Sequence, residues 1–365
     1  MINKIKAFIA IGGTGGHVFP GCNLAEHLIE KNYNIKLITD KRGKKFLKKY
    51  ENFDISILPS SRLNKKNIIY LLLSLIFIFY SVFRSLIFLI FNRPKIIFGM
   101  GGYSSFPICL AASILKIKFI IYENNLILGK ANRYLIPFAY KICVAFKELD
   151  GIPEKYKNKI VLIGNIIKKD FINYFSNIDK FDNFKKINIL VLGGSQAAKV
   201  FAETLPNIFK ECSNKGIPIK IFQHCLPEQN KKLKDFYEKN NLDFEIFNFS
   251  HDLLEYFSKV NLAITRSGSS MLAELTNANI PFISVPLPSS ADNHQLKNAM
   301  FYQSKKFSFL IEEKELNNRL LDIIQNIFKN NTQINKKLFN QKQYSDKYVY
   351  NNIDLLLEKI INEKN

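Results

Sequence analysis

The chain has 365 residues, 47% of them hydrophobic, which is enough for a sizeable core and about two domains at ~150 residues each. A wholly disordered chain, a disulfide-stapled mini-protein and a polytopic membrane protein are thereby excluded. The net charge of +21, from 52 Lys+Arg against 31 Asp+Glu, points to an anionic partner: nucleic acid, anionic lipid or a phosphate-bearing substrate. Lys, Asn, Ile, Phe and Tyr are abundant and Trp is absent. A/T-biased coding produces the same profile, so where the charges cluster matters more than their sum.

In chain order, Ile5 to Ile11 reads as a strand, followed by the glycine turn Gly12-Gly13-Thr14-Gly15-Gly16-His17 and a helix from Pro20 to Lys31. A second strand is expected at Asn34 to Thr39. Strand, glycine turn and helix open a parallel α/β unit. Further strand-to-turn steps lie at Ile96 to Gly99 (entering Met100-Gly101-Gly102-Tyr103) and at Phe119 to Tyr122. Roughly half the chain later the grammar repeats: strand Asn188 to Leu192, turn Gly193-Gly194-Ser195-Gln196, helix Ala198 to Lys210. Leu262 to Thr265 enters Arg266-Ser267-Gly268, and Ile280 to Val285 closes the series. The fold class expected is α/β with two Rossmann-like domains, glycine loops at the strand ends facing a shared cleft. The boundaries drawn are 1–165, 166–340 and a C-terminal helix in 341–365 that packs back on the N-terminal domain. The stretch Lys329 to Tyr348 reads as surface loop or polar helix, and Ile353 to Ile361 as an amphipathic helix.

Ile68 to Phe91 is almost wholly apolar, broken by Ser74, Ser81, Arg84 and Ser85. Three readings are open: an ordinary packing helix, an interfacial helix and a membrane span. Spanning would put strands of one sheet on opposite sides of a bilayer. Lys65, Lys66, Arg93 and Lys95 flank the run, with Lys41, Arg42, Lys44, Lys45, Lys48 and Lys49 upstream. Cations beside an apolar helix suit an anionic membrane surface. Nucleic acid would want aromatics interleaved with the basic residues. Five cysteines, Cys22, Cys109, Cys143, Cys212 and Cys225, are odd in number and lack a C-x-x-C spacing, as structural thiols in a reducing cytoplasm would be. No metal-ligand spacing is visible, so no metal and no cofactor are expected.

The first glycine loop is neither a P-loop nor the dinucleotide fingerprint, whose third glycine would fall at Val18. It leaves backbone N–H groups and one hydroxyl at a helix N-terminus, suited to a phosphate or a sugar hydroxyl, or simply to a tight turn. Gly193 to Gln196 and Arg266 to Glu274 offer two more helix starts. Glu274 could take both hydroxyls of a ribose, or be a solvated helix glutamate.

The motifs Gly12-Gly-Thr-Gly-Gly-His-Val-Phe-Pro-Gly21, Gly99-Met-Gly-Gly-Tyr103, Glu123-Asn-Asn125, Gly164-Asn165, Gly193-Gly-Ser-Gln196, Arg266-Ser-Gly268 with Glu274, and Ala291-Asp-Asn-His-Gln295 occur in this order. Together they closely resemble the MurG family, the UDP-GlcNAc transferases that convert lipid I to lipid II in peptidoglycan synthesis. The resemblance implies a GT-B fold, metal-independent inverting transfer of GlcNAc, and peripheral attachment to the cytoplasmic face of the membrane. It favours the interfacial reading of Ile68 to Phe91. It implies donor contacts at Thr14, Gly15, Gly16, Asn125, Lys168, Ser195, Ser250, Ser269, Ser270, Met271, Leu272, Ala273, Glu274 (on the ribose) and Gln295. Tyr103, Glu123 and Asn132 are candidates on the acceptor side.

This sequence departs from the family pattern at Lys168 (commonly arginine), Ser250 (isoleucine), Tyr122 (histidine), Ala202 (asparagine) and Phe106 (glycine). Lysine at 168 keeps the charge and loses the guanidinium fork. The partners implied are UDP-GlcNAc, lipid I, an anionic membrane surface and other cell-wall synthesis enzymes, with no nucleic acid. An imidazole takes a proton near neutral pH, so His17 is read as the general base, or else as a positioning group. The alternatives are another GT-B enzyme, such as a lipid glycosyltransferase or a UDP-GlcNAc epimerase, and, remotely, a basic nucleotide- or nucleic-acid-binding protein.

Overall fold

The computed structural model describes residues 4–48, 50, 52–64, 66–174, 185–248 and 253–363, without the side chains of 195–198. It divides into two compact units, one of Met1–Lys168 with Tyr348–Asn365 and one of Lys169–Lys347.

The first unit runs β1 (Lys6–Ala10), α1 (Gly15–Glu30), β2 (Asn34–Thr39), β3 (Asp54–Ile57), α2 (Ile68–Phe91), β4 (Ile96–Gly99), α3 (Gly102–Ile114), β5 (Phe119–Glu123), α4 (Lys130–Leu135), β6 (Lys141–Val144) and β7 (Ile160–Leu162). Its strands form one sheet in the order β3-β2-β1-β4-β5-β6-β7, every pair parallel. Strands covered on both faces read as near-continuous apolar runs, and Ala7, Phe8, Ile9, Ala10 and Ile11 are fully buried. Right-handed crossovers place α2, α3 and α4 on one face. Val82, Leu89, Ile108, Ala112, Leu135 and Ile136 share one core cluster there with Phe8, Ile97 and Ile121.

The second unit runs α5 (Lys169–Ile172), β8 (Ile187–Leu192), α6 (Gly194–Asn214), β9 (Ile219–His224), α7 (Asn230–Lys239), β10 (Asp243–Phe247), α8 (Leu253–Lys259), β11 (Leu262–Thr265), α9 (Ser269–Asn277), β12 (Phe282–Ser284), α10 (His294–Ser304), β13 (Ser308–Leu310), α11 (Leu316–Lys329) and α12 (Thr332–Lys342). Its parallel sheet has the order β10-β9-β8-β11-β12-β13. Both sheets are Rossmann-like, as expected from the sequence. The expected polar stretch 329–348 contains α12, whose Ile334 and Leu338 are buried.

The last helix, α13 (Val349–Asn362), belongs to the first unit. Its stripe Val349, Tyr350, Ile353, Leu356, Leu357 and Ile360 is buried. Asp354 Oδ1 lies 2.8 Å from Nε2 of the buried His27, and the Tyr350 hydroxyl donates to the Ile167 carbonyl at 2.7 Å.

Helix α1 starts at Gly15, five residues ahead of the start expected at Pro20, so Pro20 lies inside it. Proline lacks the N–H that would serve the carbonyl four residues back. That carbonyl belongs to Gly16, and Asn124 Nδ2 donates to it at 3.1 Å.

Helix α2 turns its polarity inside out. The buried residues are Ser74, Ser81, Val82, Ser85 and Leu89. Each serine hydroxyl is satisfied by a carbonyl of its own helix, Leu71, Phe77 and Ser81 respectively, at 2.7–2.8 Å. The outward face carries Ile68, Ile76, Phe79 and Phe91, exposed by 66, 66, 76 and 80%. It is the one helix among the described residues long and apolar enough to cross a membrane. Both its ends return to strands of one sheet, which excludes a crossing and leaves a lateral apolar face.

Candidate active site

In a parallel α/β sheet, ligands gather at the C-terminal strand ends where the strand order reverses. In the first sheet that point lies between β1 and β4, whose following segments, Gly12–His17 and Met100–Tyr103, turn into the first residues of α1 and α3. The two turns meet. Gly101 sits at φ +91°, and a Cβ there would stand 3.0 Å from Cε1 and Nδ1 of His17. Glycine is required by both the backbone angle and the space. Gly12 is similarly pressed, a Cβ there meeting Ser104 Oγ at 2.3 Å and Asp40 Oδ1 at 3.2 Å.

Glu123 and Asn132, expected on the acceptor side, are buried and knot this edge together from within. Oε1 of Glu123 accepts from the backbone N–H and Nδ2 of Asn125 at 3.2 and 3.1 Å. Oε2 accepts from the Gly129 N–H at 2.8 Å and from Asn132 Nδ2 at 3.0 Å. Both carboxylate oxygens are therefore engaged inside the protein. Asn125 is half-buried, and Thr14 and Gly16 are exposed. Tyr103 is half-buried on the first turn of α3.

Sequence reading missed Asp40. It is buried just past the end of β2, where Oδ1 accepts from the Gly43 N–H at 2.8 Å. Oδ2 accepts from Arg42 Nε and Nη2 at 2.9 and 2.8 Å and from Ser60 Oγ at 2.9 Å. Burial alone would raise its carboxyl, but the Gly43, Arg42 and Ser60 hydrogen bonds outweigh it and hold the carboxyl below its ordinary value. The available signal was a carboxylate at a strand's C-terminal end, on the same edge as the glycine loop.

In the second sheet the reversal falls between β8 and β11. Helix α6 starts two residues after β8, and α9 starts four residues after β11. The side chain of Ser195, and all of Ser250, lie outside the described residues. On α9, Ser269, Leu272 and Ala273 are buried, whereas Ser270, Met271 and Glu274 are only partly covered. Leu272 and Ala273 thus spend their side chains on packing, and the Leu272 N–H is taken by the Gly268 carbonyl at 3.1 Å.

Glu274 keeps some exposed surface, yet burial pushes its carboxyl up to about 8. An isolated desolvated carboxylate holds its proton more tightly, and donors brought by a ligand would favour its charged form. Gln295 Oε1 accepts from the Ser267 N–H at 3.2 Å and the Leu287 N–H at 3.0 Å. It pins the turn after β11 to the turn after β12 and leaves its amide protons available. Arg266, buried, pairs with Glu313 and donates to the Val285 and Pro286 carbonyls at 3.3 Å, so its role is internal.

The sequence matches the model of the glycosyltransferase family 28 N-terminal domain over residues 7–144 and that of the family 28 C-terminal domain over 188–351. A relative from Pelagibacter ubique is 36% identical over 99% of this chain and 100% of its own length. The chain belongs to glycosyltransferase family 28. The Pelagibacter relative is named UDP-N-acetylglucosamine--N-acetylmuramyl-(pentapeptide) pyrophosphoryl-undecaprenol N-acetylglucosamine transferase. A relative of the same name from Rickettsia felis is 33% identical over 88% of this chain and 91% of its own. The solved structure of MurG from Acinetobacter baumannii superposes with a TM-score of 0.77 at 24% identity, covering 97% of this chain and 99% of that one. A putative UDP-N-acetylglucosamine 2-epimerase from Listeria monocytogenes gives 0.65 at 15% identity, covering 99% and 98%. At such identities the solved structures establish the fold alone, which is GT-B.

Three departures from the family pattern have structural uses. The Tyr122 hydroxyl donates to the Gly164 carbonyl at 3.3 Å and accepts from the Ile166 N–H at 2.9 Å, tying the end of β5 to the segment after β7. Phe106 packs, partly buried, on the core of the first unit. Ala202 does so on the core of the second. Lys168 is half-buried at the boundary of the first unit.

Proposed function

We propose that this family 28 glycosyltransferase moves GlcNAc from UDP-GlcNAc to the MurNAc 4-hydroxyl of lipid I, giving lipid II, at the cytoplasmic face of the membrane. The observation that carries this reading is the 36% identity over 99% of the chain to a relative named for that reaction.

In this reading the 4-hydroxyl oxygen attacks the anomeric carbon from the face opposite the diphosphate. The new glycosidic bond forms as the bond to the diphosphate breaks, the electron pair leaves on UDP, and the configuration inverts. His17, on the glycine loop of the first unit, takes the hydroxyl proton. Helix-start N–H groups of α6 and α9, with Ser195 and Lys168, meet the charge growing on the leaving diphosphate. Glu274 accepts from the ribose hydroxyls, Gln295 offers its amide protons to the donor sugar, and Asn125 completes the donor contacts. Tyr103 is the acceptor-side contact, with Glu123 and Asn132 holding the turn behind it. The outward apolar face of α2, with cations at its ends, lies in the lipid surface beside the acceptor's polyprenyl chain.

The test is transfer of labelled GlcNAc onto a short-chain lipid I analogue in detergent with EDTA present. Product is expected. UDP-GlcNAc binding without transfer would remove the acceptor assignment, loss on chelation with recovery in Mg²⁺ would remove metal independence, and conversion of UDP-GlcNAc without acceptor would favour an epimerase.

A further inference from the structure

The short helical turn Gly43–Phe46 that follows β2 lies directly against the glycine loop. A Cβ at Gly43 would stand 2.9 Å from the Cα of Gly12 and 2.2 Å from Thr39 Oγ1. Gly12 and Gly43 both lack a side chain, so backbone rests on backbone. A shift of either turn is passed to the other with nothing between them to absorb it.

The contacts continue to the imidazole of His17. A Cβ at Gly102, whose φ is +74°, would meet the Gly12 carbonyl oxygen and Cδ2 of His17 at 3.2 Å each. The Ser105 hydroxyl donates to the Gly102 carbonyl at 3.0 Å and steadies that turn. The ring therefore leans on Gly101 and Gly102, Gly102 on Gly12, and Gly12 on Gly43. A second route is shorter. Phe46, the last residue of the turn, meets Phe19 edge-on with ring centres 6.1 Å apart, and Phe19 is two residues past His17 on α1.

Asp40 holds the foot of this stack. Its Oδ1 takes the Gly43 N–H, and its Oδ2 takes Arg42 from the same turn and Ser60 from beyond β3. Its own carbonyl accepts from the Lys44 N–H at 3.0 Å, so side chain and backbone of one residue both wind the turn. Lys41-Arg42-Gly43-Lys44-Lys45 sets four cations in five residues, and like charges repel. The buried carboxylate beside them offsets that repulsion and gives the turn one geometry.

We infer that Asp40 is a positioning residue for the transfer: by fixing Gly43 against Gly12 it sets where the glycine loop presents the His17 imidazole. This rests on the reading of His17 as the base. Asp40 acts through the backbone stack and needs no contact with substrate.

The experiment measures kcat, UDP affinity and the Cε1–H resonance of His17 in protein carbon-13-labelled on histidine, the signal being assigned by its loss in His17→Ala. Gly43→Ala wedges a methyl between the turn and Gly12 while every proposed catalytic group is kept. It is expected to lower kcat about tenfold or more, to move the His17 resonance, and to leave UDP affinity and the other histidine signals in place. Ser60→Ala, which removes one donor from Asp40 and is the milder change, should do the same by roughly two- to fivefold, and Asp40→Ala should exceed both. Ile142→Ala, a cavity in the core of the same unit, lowers the melting temperature with kcat and the His17 resonance unchanged. Wild-type kcat in Gly43→Ala and Ser60→Ala, or a His17 resonance that stays put in both, would overturn the inference. So would an equal loss of kcat in Ile142→Ala, which would make the Asp40 contacts merely structural. In each of these cases an inactive His17→Ala leaves the base reading standing. Full turnover in His17→Ala would instead remove the base reading, and the role of Asp40 with it.

Discussion

Asn124 donates to the carbonyl of Gly16 at 3.1 Å, the carbonyl that Pro20 leaves unserved inside α1. One hydrogen bond thus joins the turn after β5 to the glycine loop after β1. Asn124→Ala is expected to cost about 0.5–1.5 kcal/mol, the net worth of one hydrogen bond whose acceptor residue, Gly16, water can still reach, and to reduce transfer. Pro20→Ala restores the helical N–H. In that background the Asn124→Ala loss should shrink, which a double-mutant cycle by denaturant unfolding measures. Simple additivity would show that the two residues are not linked.

The His17 ring rests against Gly101, and the contact makes a pair of predictions. Gly101→Ala places a methyl 3.0 Å from the ring at a positive φ, so it destabilises by more than ~1 kcal/mol and displaces the imidazole. His17→Ala should lower kcat by roughly 10²–10⁴ with little change in the melting temperature and in UDP affinity. A turnover rate near wild type would end the assignment of His17 as base.

Glu274 gives a pH dependence whose sign is defined. Burial raises its carboxyl to about 8, so the free protein holds a proton there at neutral pH. A ribose diol donates to the carboxylate form, and nucleotide binding must expel that proton. UDP affinity should therefore rise as pH climbs towards 8 and level off above it, and Glu274→Gln should flatten the profile while weakening binding about tenfold or more. Titration calorimetry in buffers of different ionisation enthalpy reads the released proton directly. For stability the sign is reversed: a carboxyl raised in the folded state is destabilising once it ionises. Glu274→Gln should gain on the wild type as pH rises from about 4.5 towards 8.

Helix α2 predicts opposite outcomes for its two faces. Ser85 is fully buried, so Ser85→Leu overpacks the contact with α3 and costs about 1–3 kcal/mol. Phe79 is 76% exposed, so Phe79→Ser should leave the melting temperature unchanged and lower vesicle binding by about tenfold or more, the value of an aromatic side chain removed from water being about 1.5–3 kcal/mol. Vesicle binding indifferent to Phe79→Ser would show that this face does not meet lipid.

Much of this molecule is legible in one dimension. The strands Asn34–Thr39, Ile96–Gly99 and Leu262–Thr265 and the helix Ile68–Phe91 have the limits read from the sequence, because buried parallel strands and apolar helices announce themselves by continuous hydrophobicity. The glycine motifs, too, mark the strand ends, since their backbone angles and close approaches exclude side chains. The start of α1 was misplaced because proline reads as a helix boundary, and the Asn124 donor that serves the Gly16 carbonyl in its place comes from a distant part of the chain.

Composition and spacing alone determined two parallel α/β domains, the loops at their ligand-binding edges and the presence of one long apolar helix. Which of its faces is buried was a matter for tertiary structure. Its serines pack inward because each hydroxyl finds a carbonyl one turn back, which frees the larger apolar side chains to face outward. In the same way only the folded chain separates Glu123, whose carboxylate is saturated by Asn125, Gly129 and Asn132, from Glu274, whose carboxylate is left to hold a proton. Glu123 closes β5 and Glu274 lies on α9, and the difference is the set of donors that the fold brings within reach.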